Sequence, residues 1–395
     1  MLLYSTNNEM TKPSKHILLI IILSLLFVNS KSYCQDKLQV SGFVSSMPTF
    51  MFSDISQEWI NDFTFHNRFD FSYTPTSTFT FEAGLRNRIL TGDMITSGMI
   101  DVNNYNTDQG WLDMTENIAS GKSYAFNSSI DRLFMNITFN KLEITLGRQR
   151  INWGISTAWN PNDIFNAYSF FDFDYIKRPG SDALRFKYYT GNTSVVEFAT
   201  SLDNNKKVTS ALFSRFSLNS FDLQFSGGIF KSDDIYLGAG WSGYFNRVGF
   251  KGEISTFVPY KNKINREQIW SATIGVDYIF ENSLTIITEL LYQKNNNQQL
   301  LSDDLFTSKN IDARSLSFSE YSLFASTSYP ITPLLKASFS AMYYPSMPGF
   351  FINPSIEYSI SNNWYLSAIT QYFNIETEET KTKITMLYLR LKANF

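Results

Sequence analysis

The sequence predicts an all-β fold, a transmembrane, antiparallel, up-and-down β-barrel of sixteen to eighteen strands. Three observations predict it. Apolar and polar residues alternate in segment after segment beyond residue 35, the period-two signature of strands with one greasy and one wet face. The connections between these segments alternate short and long, as in barrels with tight turns at one rim and long loops at the other. Phe, Tyr and Trp make up 16% of the chain, yet nothing after the first 34 residues is long and apolar enough for a membrane helix.

Residues 1–34 form a separate unit. Lys12 and Lys15 precede an apolar run from Ile17 to Val28, and Ser32-Tyr33-Cys34 leads into Gln35. A basic, an apolar and a small-residue segment in that order predict a secretory signal peptide cleaved after Cys34. Met10 offers an alternative start with a more compact basic region. A lipoprotein signal fits poorly, because Tyr33 is bulky where such signals carry a small residue. Cleavage removes the only cysteine and His16, leaving His66 as the sole histidine. It removes three of 33 Lys and Arg and one of 36 Asp and Glu, so the net charge moves from −3 to −5. That balance gives no reason to expect nucleic acid as a partner. From 35 to 395 no linker or composition shift marks a boundary, and one barrel domain is expected.

Taken in chain order, eighteen segments alternate: near 38–45, 60–73, 78–90, 128–139, 142–152, 182–190, 193–202, 207–218, 221–231, 235–245, 247–258, 267–280, 283–294, 318–329, 334–344, 350–361, 363–373 and 383–395. Every second connection is tight, including Asn140-Lys141, Asn219-Ser220, Asn246-Arg247 and Asn362-Asn363. The intervening ones at 46–59, 91–127, 153–181, 259–266, 295–317 and 374–381 are longer. A miscount by one strand would scramble this alternation. In the second segment Phe63, Phe65, Phe69, Phe71 and Tyr73 oppose Asp62, Thr64, His66, Arg68, Asp70 and Ser72. In the twelfth, Trp270, Ala272, Ile274, Val276, Tyr278 and Phe280 oppose Ser271, Thr273, Gly275 and Asp277. A soluble sandwich would have to bury one of these faces, and unpaired buried charge is costly. A water-filled interior resolves the conflict, and this strand number is the size that leaves an aqueous channel.

Inward charges divide between two walls. Arg68, Arg86, Arg88, Arg132, Arg185 and Lys187 lie on strands two to six, against Asp62, Asp70, Glu82 and Glu143. Asp277, Glu289, Glu320 and Glu357 lie on strands twelve to sixteen, against Lys336. The expectation is a transverse field across the pore, although any wet lumen carries charges of both signs. The fifth strand breaks the pattern: with Leu142, Ile144 and Leu146 outward, Arg148 and Arg150 would face lipid, at roughly 2–4 kcal/mol each near the midplane. A bulge at Gly147-Arg148 is expected to return both to the lumen as part of the basic wall.

The last strand ends Leu387-Tyr-Leu-Arg-Leu-Lys-Ala-Asn-Phe395. It resembles the C-terminal signal of Gram-negative outer-membrane barrels, which implies insertion by the barrel-assembly machinery through the Phe395 strand. The stretch Leu146-Gly-Arg-Gln-Arg-Ile-Asn-Trp-Gly154, with Trp159-Asn-Pro-Asn-Asp163 and Arg178-Pro-Gly-Ser-Asp-Ala-Leu-Arg185, resembles porin-like outer-membrane channels, including alginate-export-like ones. That likeness implies passive or facilitated passage of small hydrophilic solutes, with outer-membrane lipid around the barrel and no cofactor. A trimer contact and a lipid face look alike in sequence, so a homotrimer stays open. In many porins the third external loop folds into the barrel. Here it would be 153–181, with Trp159, Asp163, Phe165, Tyr168, Asp172 and Asp174 as constriction candidates beside Phe170, Phe171, Phe173 and Tyr175.

So many rings are not expected to stay in water. They should pack on the wall or stack on a sugar, and packing is the simpler reading. The second loop, 91–127, carries Asp93, Asp101, Asp108, Asp113 and Glu116 with Asn103, Asn104 and Asn106. Such a set could bind calcium through oxygen but does not fit the EF-hand spacing, so a solvated loop without metal is expected. His66, flanked by Asp62 and Asp70, is the one conceivable base. No nucleophile motif or phosphate loop accompanies it, so no enzyme is expected. The rival class is a surface adhesion or scaffold barrel that binds a partner with its long loops.

Overall fold

The computed structural model describes residues 37–102, 107–174, 177–261, 266–294, 312–346, 349–376 and 381–395. The expected signal peptide, Tyr175, Asn103, Asn104 and Asn106 lie outside these residues. Among the described residues nineteen strands form one antiparallel sheet that closes on itself. In order they are β1 (Leu38–Phe52), β2 (Ile60–Tyr73), β3 (Phe79–Gly92), β4 (Thr115–Ser120), β5 (Tyr124–Phe139) and β6 (Leu142–Gln149). Then follow β7 (Ser181–Tyr189), β8 (Val195–Leu202), β9 (Val208–Leu218), β10 (Phe221–Phe230), β11 (Asp234–Phe245), β12 (Val248–Pro259) and β13 (Ile269–Ile279). The last six are β14 (Thr285–Gln293), β15 (Tyr321–Thr332), β16 (Leu335–Tyr344), β17 (Gly349–Ser361), β18 (Trp364–Glu376) and β19 (Lys381–Asn394).

Eighteen of these make the wall expected from the alternation. The addition is β4, which pairs with the upper part of β5 while β3 and β5 pair directly on its other edge. The residues Thr115–Ser120 are few and mostly polar, and no period stands out. A single turn of helix, α1 (Asp93–Thr96), follows β3. Tight connections take left-handed backbone at Asn140, Asn219, Asn246 and Ser283, a conformation that asparagine tolerates better than most residues.

Alternation is obeyed around the ring. Phe63, Leu237, Ile254, Trp270, Phe350 and Leu389 are all exposed on the outer face, where only a bilayer would cover them. The closing seam pairs β1 with β19, from Phe43 opposite Asn394 to Phe52 opposite Thr385. Phe395 extends it by exchanging two backbone hydrogen bonds with Gly42, at 2.9 and 3.0 Å. Its ring lies over Gly42 and reaches Phe69 on β2, 5.5 Å between centroids. Gly42 has to be glycine: a Cβ there would sit 2.1 Å from the Arg68 carbonyl oxygen.

The expected bulge at Gly147-Arg148 does not occur. Pairing between β5 and β6 runs unbroken through Leu146, Gly147 and Arg148. Gly147 does leave ordinary strand backbone, at φ 117°. The register shift lies instead between β3 and β5, where Asp131 is the extra residue opposite Gly84 and Leu85. The bulge places Asp131 where it meets the Arg68 guanidinium.

Candidate functional site

The described residues between Arg150 and Gly180, 150–174 and 177–180, do not stand above the barrel. They enter the lumen and run round the inner wall. The Trp153 indole N–H donates to Glu197 on β8 at 2.6 Å, and its ring stacks on Phe213 of β9 at 5.0 Å. Gln224 on β10 donates to the Trp153 carbonyl at 2.8 Å. The Glu253 carboxylate on β12, fully buried, accepts the backbone N–H groups of Ile155, Ser156 and Asn162 at 2.5, 2.8 and 2.8 Å. Glu289 on β14 accepts those of Thr157, Trp159 and Ala158 at 2.8, 3.0 and 3.3 Å. Five consecutive amides, Ile155 to Trp159, are thus held by two wall carboxylates. Hydrogen bonds to a charged acceptor are stronger than neutral ones.

The second half completes the circuit on rings. Phe170 meets Phe324 of β15 at 4.9 Å, Phe171 meets Phe351 and Phe373 of β17 and β18 at 4.9 and 5.2 Å, and Phe173 meets Tyr388 of β19 at 4.7 Å. All four contacts are edge-on, a favoured aromatic geometry. Gln371 donates to the Phe171 carbonyl at 2.9 Å. Asp174 reaches His66 Nδ1 on β2 at 3.2 Å, and Lys177 reaches Asp70 at 2.6 Å. Wall residues such as Phe324, Phe351 and Phe373 therefore point inward beneath the loop. The lumen is not polar throughout: its apolar clusters include one around Trp153 and one around Trp159.

His66 has neither Asp62 nor Asp70 as its partner. Arg86 Nε donates to its Nε2 at 3.1 Å, which leaves the proton on Nδ1 to be donated to Asp174. Both ring nitrogens are thus engaged by charged side chains rather than by a hydroxyl.

The six loop candidates fall as follows. Trp159 and Phe165 are packing residues, on Phe324 and Trp153 respectively. Tyr168 lies 4.0 Å below the Arg178 guanidinium and 5.8 Å from that of Arg150, a cation–π arrangement. Through its carbonyl, Asp172 accepts from Arg178 at 3.0 Å, while Asp174 holds His66. Asp163 is fully buried beside Arg150 and Glu253. Burial pushes its carboxyl up to about 7, with Glu253 adding to the rise and Arg150 and the Asn166 amide opposing it.

That shift has a sign. Between the ordinary value of 3.8 and about 7, the docked loop holds a proton that a freed carboxyl would release, so docking weakens as pH rises through this window. We expect open-state current noise to grow from pH 4 to pH 7 and the growth to be smaller in Asp163→Asn. A wild-type channel with flat noise across that range would refute the assignment.

The wall charges are largely consumed by one another. Arg68 is held by Asp70 at 2.9 Å and Asp131 at 2.5 Å, and Arg185 by Glu197 at 2.7 Å. Arg132 donates to the carbonyls of Asp131 and Arg178. Half-buried Lys187 lies near the Tyr189 ring. On the opposite wall Glu289 anchors backbone and Glu357 faces Arg390 at 3.8 Å. Asp277 is half-buried on β13. Glu320 lies just before β15, exposed, with its carbonyl accepting from the Gln293 N–H at 2.8 Å. Arg148 is no free pore charge either, since it sits at the top of β6 between Asp182 at 2.7 Å and Asp108 at 2.6 Å. Asp108 is accordingly not a solvated loop residue.

Glu253, Gln224, Gln371, Arg178 and Asp131 were not foreseen as site residues. A lumen-facing Glu on a strand otherwise lined by Gly, Lys and Ser was the available signal for the first. At the outer mouth, Asp234 binds Arg266 and Arg314 at 2.7 and 2.9 Å, and Asp312 binds Arg314 and Lys231. Burial alone would raise Asp312, but Arg314 and then Lys231 bring it down to about 2. Between loop and wall a cavity of about 660 Å³ stays open, bordered by Arg86, Arg88, Asp62, Asp172, Tyr168 and Arg178.

No protein-family model matches the chain, and no curated protein does. Solved structures do share its fold. The outer membrane protein OprD from Pseudomonas aeruginosa matches with a TM-score of 0.57 at 8% identity, over 93% of this chain and 95% of that one. OccAB1 of Acinetobacter baumannii matches with 0.56 at 9% identity, over 93% and 98%. OccK7 (OpdD) of Pseudomonas aeruginosa matches with 0.56 at 8%, over 91% and 98%.

Proposed function

We propose that this barrel, which shares the fold of OprD, is an outer-membrane channel for diffusion of small hydrophilic solutes. The observation that carries the reading is the pairing of an apolar outer belt with a lumen narrowed, but not filled, by an inward loop. A wall that served only as an anchor has no use for a loop tied to strands all round its interior. The cavity is bordered by Arg86, Arg88 and Arg178 and by Asp62 and Asp172, so solutes with polar or charged groups find partners of both signs. Arg150 and Asp163 lie deeper, within the loop's own packing. Insertion through the Phe395 strand by the barrel-assembly machinery belongs to the same reading. A homotrimer is compatible with it, and catalysis has no part in it.

Proteoliposomes should swell in small sugars and organic acids, with rates falling steeply as solute size grows. Planar bilayers should show steady current. Electrical silence together with no swelling would favour a surface anchor whose long loops bind a partner.

A further inference from the structure

The wall is uneven in height. β6 and β8 have 8 residues and β7 has 9, whereas β5 has 16. A tilted membrane strand needs about 9–11 residues, and 8 residues at the usual tilt rise roughly 19 Å against an apolar band of about 25 Å. The strands alone therefore stop short of the outer edge of the hydrocarbon at β6–β8. Only Leu133–Phe139 of β5 pair with β6, and the free edge above them pairs with β4.

What fills the gap is the segment 107–120. Gly110 bridges to Asp203 at the top of the β8–β9 hairpin, and Asn204 donates its amide to the Gln109 carbonyl at 3.1 Å. Leu112 N–H donates to Asp182 at 2.8 Å. Arg148 joins the pieces: besides Asp182 and Asp108, it donates to the carbonyls of Ile130 at 3.2 Å and Leu112 at 2.5 Å. On one side of this patch, Thr107, Gly110, Thr115 and Arg148 border the lumen cavity. Trp111, Leu112 and Ile118 do not border it and are exposed.

We propose that 107–120 is a lateral door in the barrel wall, latched by Arg148, through which single-chain amphiphiles pass between the cavity and the surrounding leaflet. The inference rests on the channel reading. The door turns on the β4–β5 hairpin, whose pairing stays intact. It parts from β7 and the β8–β9 connection. There the Gly110–Asp203 bridge, the Asn204 backbone and side-chain amides on the Gln109 and Asp108 carbonyls, the Leu112 N–H on Asp182 and the Arg148 guanidinium make the closure among the described residues. The polar cavity takes the head group, and the exposed apolar side chains meet the chain.

Residues 109 and 204 are opposite one another and both exposed, so Gln109→Cys with Asn204→Cys staples the door and keeps Arg148. The oxidised and reduced forms both lack the Asn204 side-chain bond to the Asp108 carbonyl, so their comparison reads the staple alone. The probe is a fluorescent lysophosphatidylcholine in phosphatidylcholine vesicles, its transfer read by dithionite protection, with sucrose entry measured in parallel. Oxidation should slow probe transfer about tenfold, equivalent to roughly 1.4 kcal/mol on the opening equilibrium, and leave sucrose entry unchanged. Arg148→Met should speed probe transfer. Equal probe rates in oxidised and reduced protein would overturn the door while leaving the channel standing. Loss of sucrose entry in every form would instead overturn the channel reading, and the door with it.

Discussion

Replacing Glu253 by Leu is expected to release the lumen loop and raise single-channel conductance several-fold. Three backbone N–H groups, those of Ile155, Ser156 and Asn162, end on this one buried carboxylate. Leucine accepts none of them. Each stranded donor costs about 1–3 kcal/mol, so the docked loop loses several kcal/mol at one point and regains solvation only by leaving the wall. Glu253→Gln keeps one acceptor oxygen but turns an amide N–H₂ toward donors, so it should fall between wild type and Leu. Glu289→Leu should act in the same direction and less strongly, because its bond to the Ala158 N–H is long, at 3.3 Å, and the Trp159 ring still packs on Phe324. If Glu253→Leu assembles and conducts like wild type, the loop is not what narrows the pore.

Gly42→Val is expected to abolish the closed barrel. The added Cβ would lie 2.1 Å from the Arg68 carbonyl oxygen and 2.8 Å from the Phe395 ring. The ring can swing away, but the carbonyl belongs to the β1–β2 ladder and cannot. With β1 displaced, its pairing to β19 fails at the one seam that local hairpins cannot supply. Deleting Phe395 alone should be milder within a finished barrel. It forfeits two backbone hydrogen bonds and the packing on Phe69, which amounts to about 1.5–3 kcal/mol for the ring. The measurement is the band that unheated barrels show in semi-native electrophoresis. A folded band of normal intensity in Gly42→Val would defeat the seam argument.

The wall was readable from the sequence because each strand reports on itself. Phe63 to Tyr73 against Asp62 to Ser72 needs no knowledge of neighbours, and tight Asn turns mark the hairpins. β4 was not readable: Thr-Glu-Asn-Ile-Ala-Ser is a strand only because the upper edge of β5 is free. The loop's entry was legible as too many rings for open water. Its docking was not, since Phe171 and Gln371 meet across 200 residues. Charges misled most. Glu289 and Arg148 have the composition of pore lining, yet one holds amides and the other a seam. Side-chain type says that a charge needs a partner, and only the fold says whether the partner is solute, backbone or another residue.

The circuit of 150–180 also constrains the order of assembly. The segment is fastened to strands on both sides of the β1–β19 junction, through Phe173 on β19 and through Asp174 and Lys177 on β2. A polypeptide that has already become a ring would have to thread this lining through its own mouth. The simpler sequence of events lays the lining against a still-curved ribbon and zips the ends last, so the inner segment acts as a former on which the cylinder is shaped.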